Sequence, residues 1–186
     1  MKKLALMMCA LLLMVFAFAG CGSEKKQAPP APVAVVHDCS QYGGMTAKEL
    51  TAKLGKPEHV SNWKLTGGLI IYPIKTYDYT IDGNRAEFHL YDNKVVSLRM
   101  HCQPDMTWFV NEPKQIGCDD TFAMFGIKKG ENMEYAVNAP ARKKYTSVAE
   151  NIVAVEVFPI REKYFSKTKF DQIHIIYDEG VAKNYN

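Results

Sequence analysis

Between Ile74 and Cys102 apolar and polar side chains alternate almost without a break, with turn residues at Gly83-Asn84 and at Asp92-Asn93-Lys94. A period of two marks strands buried on one side, and Gly, Asn and Asp supply the backbone that tight hairpins need. Three antiparallel strands follow. A two-residue turn at Gly83-Asn84 sets Ile81 opposite Ala86, Tyr79 opposite Phe88 and Tyr77 opposite Leu90. A three-residue loop, Asp92 to Lys94, then sets Leu90 opposite Val96, Phe88 opposite Leu98 and Ala86 opposite Met100. A two-residue loop would turn Val96, Leu98 and Met100 into solvent, so burial selects the longer one.

The same register fixes the other face, whose rows are Asp78, His89, Ser97; Thr80, Glu87, Arg99; and Asp82, Arg85, His101. Opposite charges meet within the last two rows. Two readings of this face are open. One is a solvated surface whose charge pairs contribute a few tenths of a kcal/mol each. The other is a polar, sheet-borne platform for a protein partner, and its residues are Asp78, Arg85, Glu87, His89, Arg99 and His101.

Upstream, Gly44-Met45-Thr46 leads into Ala47-Lys48-Glu49-Leu50, with Leu54, Gly55 and Pro57 following. Thr46 and Glu49 have capping-box spacing, Ala47, Leu50 and Leu54 share one helical face, and Gly55 with Pro57 ends the helix. So short a helix persists only by packing, here on the apolar face of the strands. A second half echoes the first. Asp119-Asp120-Thr121 precedes Phe122-Ala123-Met124-Phe125, Gly126 stops that helix, and 152–157 and 170–177 read as strands, Ile173-His174-Ile175 echoing Phe88-His89-Leu90. An insertion is placed in 128–150, where Lys, Gly, Asn and Pro accumulate. The expected fold class is α+β, with short helices packed on one face of an antiparallel sheet, in two pseudo-repeats. Of the aromatics, Trp63, Trp108 and Phe109 are assigned mostly to the core by number.

Before the domain, Met1-Lys2-Lys3 and an uncharged apolar run from Leu4 to Ala19 form the n- and h-regions of a signal peptide. The run ends in Phe18-Ala19-Gly20-Cys21, which resembles the lipobox of bacterial lipoproteins, with Phe18 where leucine is usual. The resemblance implies cleavage before Cys21 and acylation of its thiol. Two or three acyl chains would hold the protein on a membrane permanently, each buried methylene contributing ~0.8 kcal/mol. Gly22 in place of Asp implies the periplasmic face of the outer membrane, where the cell has one. From Ser23 to about Val36 the composition is Lys, Gln, Pro and Ala, an extended spacer. The expected organisation is a signal peptide at 1–20, anchor and tether at 21–43, a first unit at 44–102 and a second, divergent one at 103–186. Net charge is +3 and falls to about +1 once Lys2 and Lys3 are removed, with no basic cluster, so nucleic acid is not a partner.

The segment Gly44-Met45-Thr46, Leu50 and Leu54 at four-residue spacing, Gly55-x-Pro57 and the meander together resemble the BamE/SmpA/OmlA lipoproteins, whose helix-on-sheet fold is shared with the β-lactamase inhibitor proteins. That resemblance implies a non-enzymatic module acting by protein contact in the envelope, in outer-membrane assembly or in inhibition of an envelope enzyme. The partner's identity does not follow.

Three cysteines remain in the exported part, Cys39, Cys102 and Cys118, so at most one internal disulfide forms. Cys102 with Cys118 closes a loop of about 15 residues and would contribute ~3 kcal/mol. Cys39 bonded to either, or three free thiols, are the alternatives. A competing reading as a ligand-binding, metal-binding or enzymatic lipoprotein draws on Cys39, His101, Cys102 and Cys118, with His37 and Asp119 adjacent in sequence. It lacks C-x₂-C and H-E-x-x-H spacing, and Gly67-Gly68 is not followed by the Gly-Lys-Ser/Thr of a phosphate loop. The chain is therefore read as non-enzymatic, without cofactor or metal.

Overall fold

The computed structural model describes residues 33–184 except 68–69, 105, 111–114 and 118. The signal peptide, Cys21, the tether as far as residue 32 and Cys118 lie outside the described residues. Within them the chain is dominated by sheet. Helix α1 (Ala47–Leu54) is followed by β1 (His59–Gly67), β2 (Ile70–Ile81), β3 (Asn84–Tyr91), β4 (Lys94–His101) and the short β5 (Trp108–Phe109). Helix α2 (Asp119–Ala123) is followed by β6 (Glu134–Ala139), β7 (Arg142–Ala149), β8 (Ile152–Arg161), β9 (Phe165–Ile176) and a last turn of helix, α3 (Glu179–Ala182).

All strands pair antiparallel in one sheet of order β1-β2-β3-β4-β9-β8-β7-β6, with β5 beside β9. Two four-stranded meanders therefore meet through their last strands, where Ser97 to His101 of β4 pairs with Ile176 to Gln172 of β9. The expectation of an α+β layer of helices on one face of a sheet is overturned. Among the described residues, nine strands against three short helices make the sheet the body of the fold, and α3 lies on the face opposite α1. The reason is local. Residues 59–67 pair with Ile70 to Asp78 of β2, and 134–149, assigned to an insertion, forms the β6–β7 hairpin.

The expected helix is formed as its capping physics dictates. Thr46 N–H donates to Glu49 Oε2 at 2.8 Å, and Glu49 N–H donates to Thr46 Oγ1 at 3.2 Å. Leu50 is fully buried, and Ala47 and Leu54 pack against the core. That core is the apolar face of the sheet. Tyr77, Phe88, Leu98, Ile175, Val155 and Tyr145 form one row across six strands. Leu50, Phe122, Phe125 and the entering segment with Cys39 and Tyr42 cover it. Burying one such large side chain contributes roughly 1.5–3 kcal/mol. Trp108 joins this core, Trp63 is half-buried, and Phe109 is the exposed one of the three.

The β2–β3 register differs from expectation by two residues. Asp82 and Gly83 form the turn, both at positive φ, and Tyr79 pairs with Ala86 and Tyr77 with Phe88. A two-residue slip preserves every side chain's face, so the apolar set stays inside. In β3–β4, Ala86 with Met100 and Phe88 with Leu98 pair as expected, but the turn is Asp92-Asn93, both at positive φ. A bulge between His89 and Leu90 absorbs the odd residue and leaves Leu90 opposite Val95.

Candidate functional site

Antiparallel pairing stacks one residue from every strand of the main path into a single row on the face away from α1. It runs His59, Asp78, Glu87, Arg99, His174, Glu156, Lys144 and Val137, in sheet order. Seven titratable side chains in one line across a sheet are expensive to desolvate unless paired. They pair around two glutamates.

In the first half, Glu87 is ringed by cationic or polarisable groups. Arg85 Nη2 lies 2.7 Å from its Oε1 and 3.7 Å from Asp78 Oδ2. His101 Nε2 approaches Oε1 at 3.6 Å, and His89 Nε2 approaches Oε2 at 3.9 Å. The His101 imidazole is the largest influence holding the Glu87 carboxyl down at about 2. Partial burial opposes it, and Arg85 and His89 add to it. His89 is buried, and desolvation, reinforced by His174 and Arg99, pushes its imidazole down to about 3. Ser97 Oγ lies 2.9 Å from its Nδ1, and the Trp63 ring meets it edge-on at 5.5 Å.

In the second half, Glu156 takes the corresponding place. Lys144 Nζ and Arg142 Nη1 lie 3.5 and 3.7 Å from Oε1, and His174 Nδ1 donates to Oε2 at 3.4 Å. Burial works against ionisation of Glu156, but His174, Lys144 and Arg142 outweigh it and the carboxyl is held below its ordinary value. His174 is fully buried, and desolvation lowers it despite Glu156. The two rings touch across the β4–β9 ladder, where the His89 and His174 rings are 5.8 Å apart, edge to face.

One end of this face is covered and the other is open. At the covered end α3 lies on the sheet, with Val181 against Ile74 and Val96, and Ala182 against Ala154 and Ile176. At the open end Arg85 is exposed, and Asp78, Glu87, Arg99, His101, Gln172 and Arg142 are half-buried. The six residues singled out from sequence do share one face. Their rows are corrected to Asp78, Glu87, Arg99 and to Thr80, Arg85, His101, because of the β2 register. His89 is corrected from a surface contact to a buried neighbour of the site. Sequence reasoning missed Arg142, Lys144, Glu156 and His174. The alternation of 152–157 and the echo at Ile173-His174-Ile175 were the available signals, but neither says that β9 joins β4.

The cysteines take separate places. Cys39 and Cys102 carry free thiols, while Cys118 lies outside the described residues. Cys39 is in the core, its Sγ–H toward Met100 Sδ at 3.2 Å, and burial pushes its thiol far above the ordinary range. His101 follows Met100 on the strand and so points to the opposite face. His37 is engaged by Tyr42 Oη at 2.7 Å and by Asp82 Oδ2 at 3.3 Å. Among the described residues no group of three or more His, Cys, Asp or Glu side chains gathers as a metal shell. Nor, among them, is any helix long and apolar enough to cross a membrane.

No protein-family model matches this chain, and no curated protein matches it in sequence. Among solved structures it is similar to a cysteine-rich secretory protein from Staphylococcus aureus, at 14% identity and TM-score 0.41, covering 81% of this chain and 51% of that one. It is also similar to an extracellular protein containing an SCP domain from Bacillus anthracis, at 13% identity and TM-score 0.39, covering 88% and 52%. The chain spans about half the length of each. The resemblance to the BamE/SmpA/OmlA lipoproteins is overturned on two other findings: no family model carries it, and among the described residues the body is a sheet. The motif from Gly44 to Pro57 is accounted for by a capping box, an apolar stripe and a glycine stop, which any packed helix of this length uses.

Proposed function

We propose that this chain is an extracytoplasmic lipoprotein, acylated at Cys21, whose folded unit binds an envelope protein through the open end of the charged sheet face and catalyses no reaction. The observation that carries the reading is the Glu87 ring. A carboxylate held ionised between Arg85, His101 and His89, with Asp78 on the far side of Arg85, forms a fixed pattern of charge on a rigid sheet. Fixed charges of this kind steer encounter and set register with a complementary surface at little ordering cost. Arg85, exposed at the centre and oriented by two carboxylates, has the character of an interface anchor. The leader from Lys2 to Ala19 and the lipobox-like Ala19-Gly20-Cys21 support the location.

Mild crosslinking of intact envelopes followed by affinity purification of the acylated protein tests this. A stoichiometric partner that is captured by the parent protein and lost from Arg85→Glu with Glu87→Lys supports the reading. Capture unchanged by that double reversal, in a protein of unchanged thermal stability, sinks it.

A further inference from the structure

One strand of the sheet runs well past the end of its neighbour β4. Of the twelve residues of β9, only Gln172 to Ile176 pair with β4, and Phe165 to Asp171 run on beyond that strand's end. Those seven residues extend about 20 Å at strand spacing. They are backed by β8, by β5, and by Val110 and Ile116, whose N–H groups donate to Thr168 and Lys167 carbonyls at 2.9 Å. A braced hairpin is an organ of contact rather than a loose loop.

Its tip has the chemistry of a membrane interface. Tyr164 is 76% exposed, and Phe109, beside Lys169 on β5, is 63% exposed. Lys163 Nζ lies 5.7 Å from the Tyr164 ring, and Arg161 Cζ 5.9 Å from the Phe165 ring. Within residues 161–169, Arg161, Lys163, Lys167 and Lys169 outnumber the one carboxylate, Glu162, which Lys169 pairs at 2.9 Å. Amphipathic aromatic rings beside several cations match the depth profile of an anionic headgroup layer.

The chain also enters from this end. His37 is bonded to Asp82 in the β2–β3 turn, just outside the row of Arg85, His101 and Gln172 from which β9 projects. From there it crosses the apolar face until Gly44 N–H reaches the Val95 carbonyl. Cys21 lies 12 residues before Val33, so covalent geometry limits the distance between them to about 43 Å at ~3.6 Å per residue. The β6–β7 turn lies at the same end, Pro140 and Lys143 lining a cavity with Phe165 and Lys167, whereas the β1–β2 hairpin points the opposite way, with Ile70 and Ile71 exposed near its turn.

From these observations we infer that the β8–β9 tip seats on an anionic phospholipid surface and holds the charged sheet face at a fixed height and tilt above it. This rests on the reading of Cys21 as the lipid anchor, and the test separates the two. The mature acylated protein is placed in nanodiscs containing phosphatidylglycerol and brominated phosphatidylcholine, with Tyr164→Trp and Ile71→Trp compared with the parent.

Seating predicts strong added quenching for Tyr164→Trp and none for Ile71→Trp, and loss of the added quenching when Arg161→Glu and Lys163→Glu are combined with Tyr164→Trp. Equal quenching at the two tips, or an unquenched Tyr164→Trp, overturns the proposal, including the case in which a protein partner shields the tip. Mass spectrometry of the N-terminal fragment reads the anchor independently. Should Cys21 carry no acyl chain, the same charge variants are sedimented with phosphatidylglycerol vesicles. Each surface cation contributes roughly fivefold in affinity there, so a tenfold or larger loss supports the hairpin and an absence of binding overturns it.

Discussion

Each meander carries one glutamate on its third strand, ringed by imidazole and cationic side chains, yet the two rings sit in opposite circumstances. Around Glu87, Arg85 is 59% exposed; around Glu156, Lys144 is 10% and His174 0% exposed. The same row of the same sheet therefore holds one ring at a surface and one in an interior. Desolvation decides what each is for. A buried charge set is strongly destabilised by loss of one partner, while an exposed pair contributes little to stability and is free to meet another molecule.

The comparison breaks most readily at the carboxylates. Glu156→Ala leaves Lys144, Arg142 and His174 facing a gap and is expected to destabilise by about 3–5 kcal/mol, whereas Glu87→Ala, whose partner Arg85 can turn to solvent, costs about 1.5–3 kcal/mol, both read from urea unfolding. Equal losses would erase the distinction. Acid stability sharpens it next. Between about 6.5 and about 3 an unfolded chain binds a proton that the folded His89 refuses, so stability falls as pH drops through that window. His174 acts in the same direction. Glu87, held at about 2, adds a loss as pH falls from the ordinary carboxylate value, about 4.5, toward 2. Accordingly His89→Asn flattens the stability slope between pH 6.5 and 3 by up to ~1.4 kcal/mol per pH unit, while Glu87→Gln alters only the region below about pH 4.5. A slope unmoved by His89→Asn would mean that the imidazole is charged in the folded state.

Smaller effects test the two helices. Thr46→Ala removes a reciprocal cap and is expected to lower stability by about 1 kcal/mol. Asp119→Ala at the start of α2 removes only an exposed contact with Lys129 and is expected to change stability by under ~0.5 kcal/mol. The smallest change expected is for Arg85→Gln, within about 0.5 kcal/mol in thermal or urea unfolding, because its role lies in partner capture.

The halves also differ in how far the sequence discloses them. In the first, Thr46 with Glu49, the alternation from Ile74 to Cys102 and the Asp/Asn/Gly turns act over a few residues, and local physics suffices to place α1, β3, β4 and the face that carries Glu87. The slip of β2 by two residues shows the limit. Burial constrains parity, and only the positive φ of Asp82 and Gly83 chooses between registers of equal parity. In the second half, bulges between Tyr135 and Val137 and between Thr146 and Ala149 break the period that would have announced β6 and β7, while the bulges between Phe158 and Arg161 leave only 152–157 of β8 legible. β1 escaped for a different reason. It is an edge strand, mostly exposed or half-buried, so no apolar rhythm is needed there. The Glu156 ring assembles through the β7–β8 and β8–β9 pairings, but its contact with His89 requires β9 to meet β4, a pairing between residues far apart in sequence, which no local pattern encodes.

That seam also sets an order of events. The strand that completes the centre of the sheet is the last of the nine to be synthesised, and Ser97 must wait for Ile176 before either meander has a neighbour. Contacts so distant along the chain slow folding and leave two unpaired strand edges, β4 and β8, open until the C-terminal residues emerge. A chain cut or stalled before about residue 165 keeps both edges bare and invites pairing with other chains. Emergence of β9, rather than formation of the first half, is thus the step that commits the molecule to its native state.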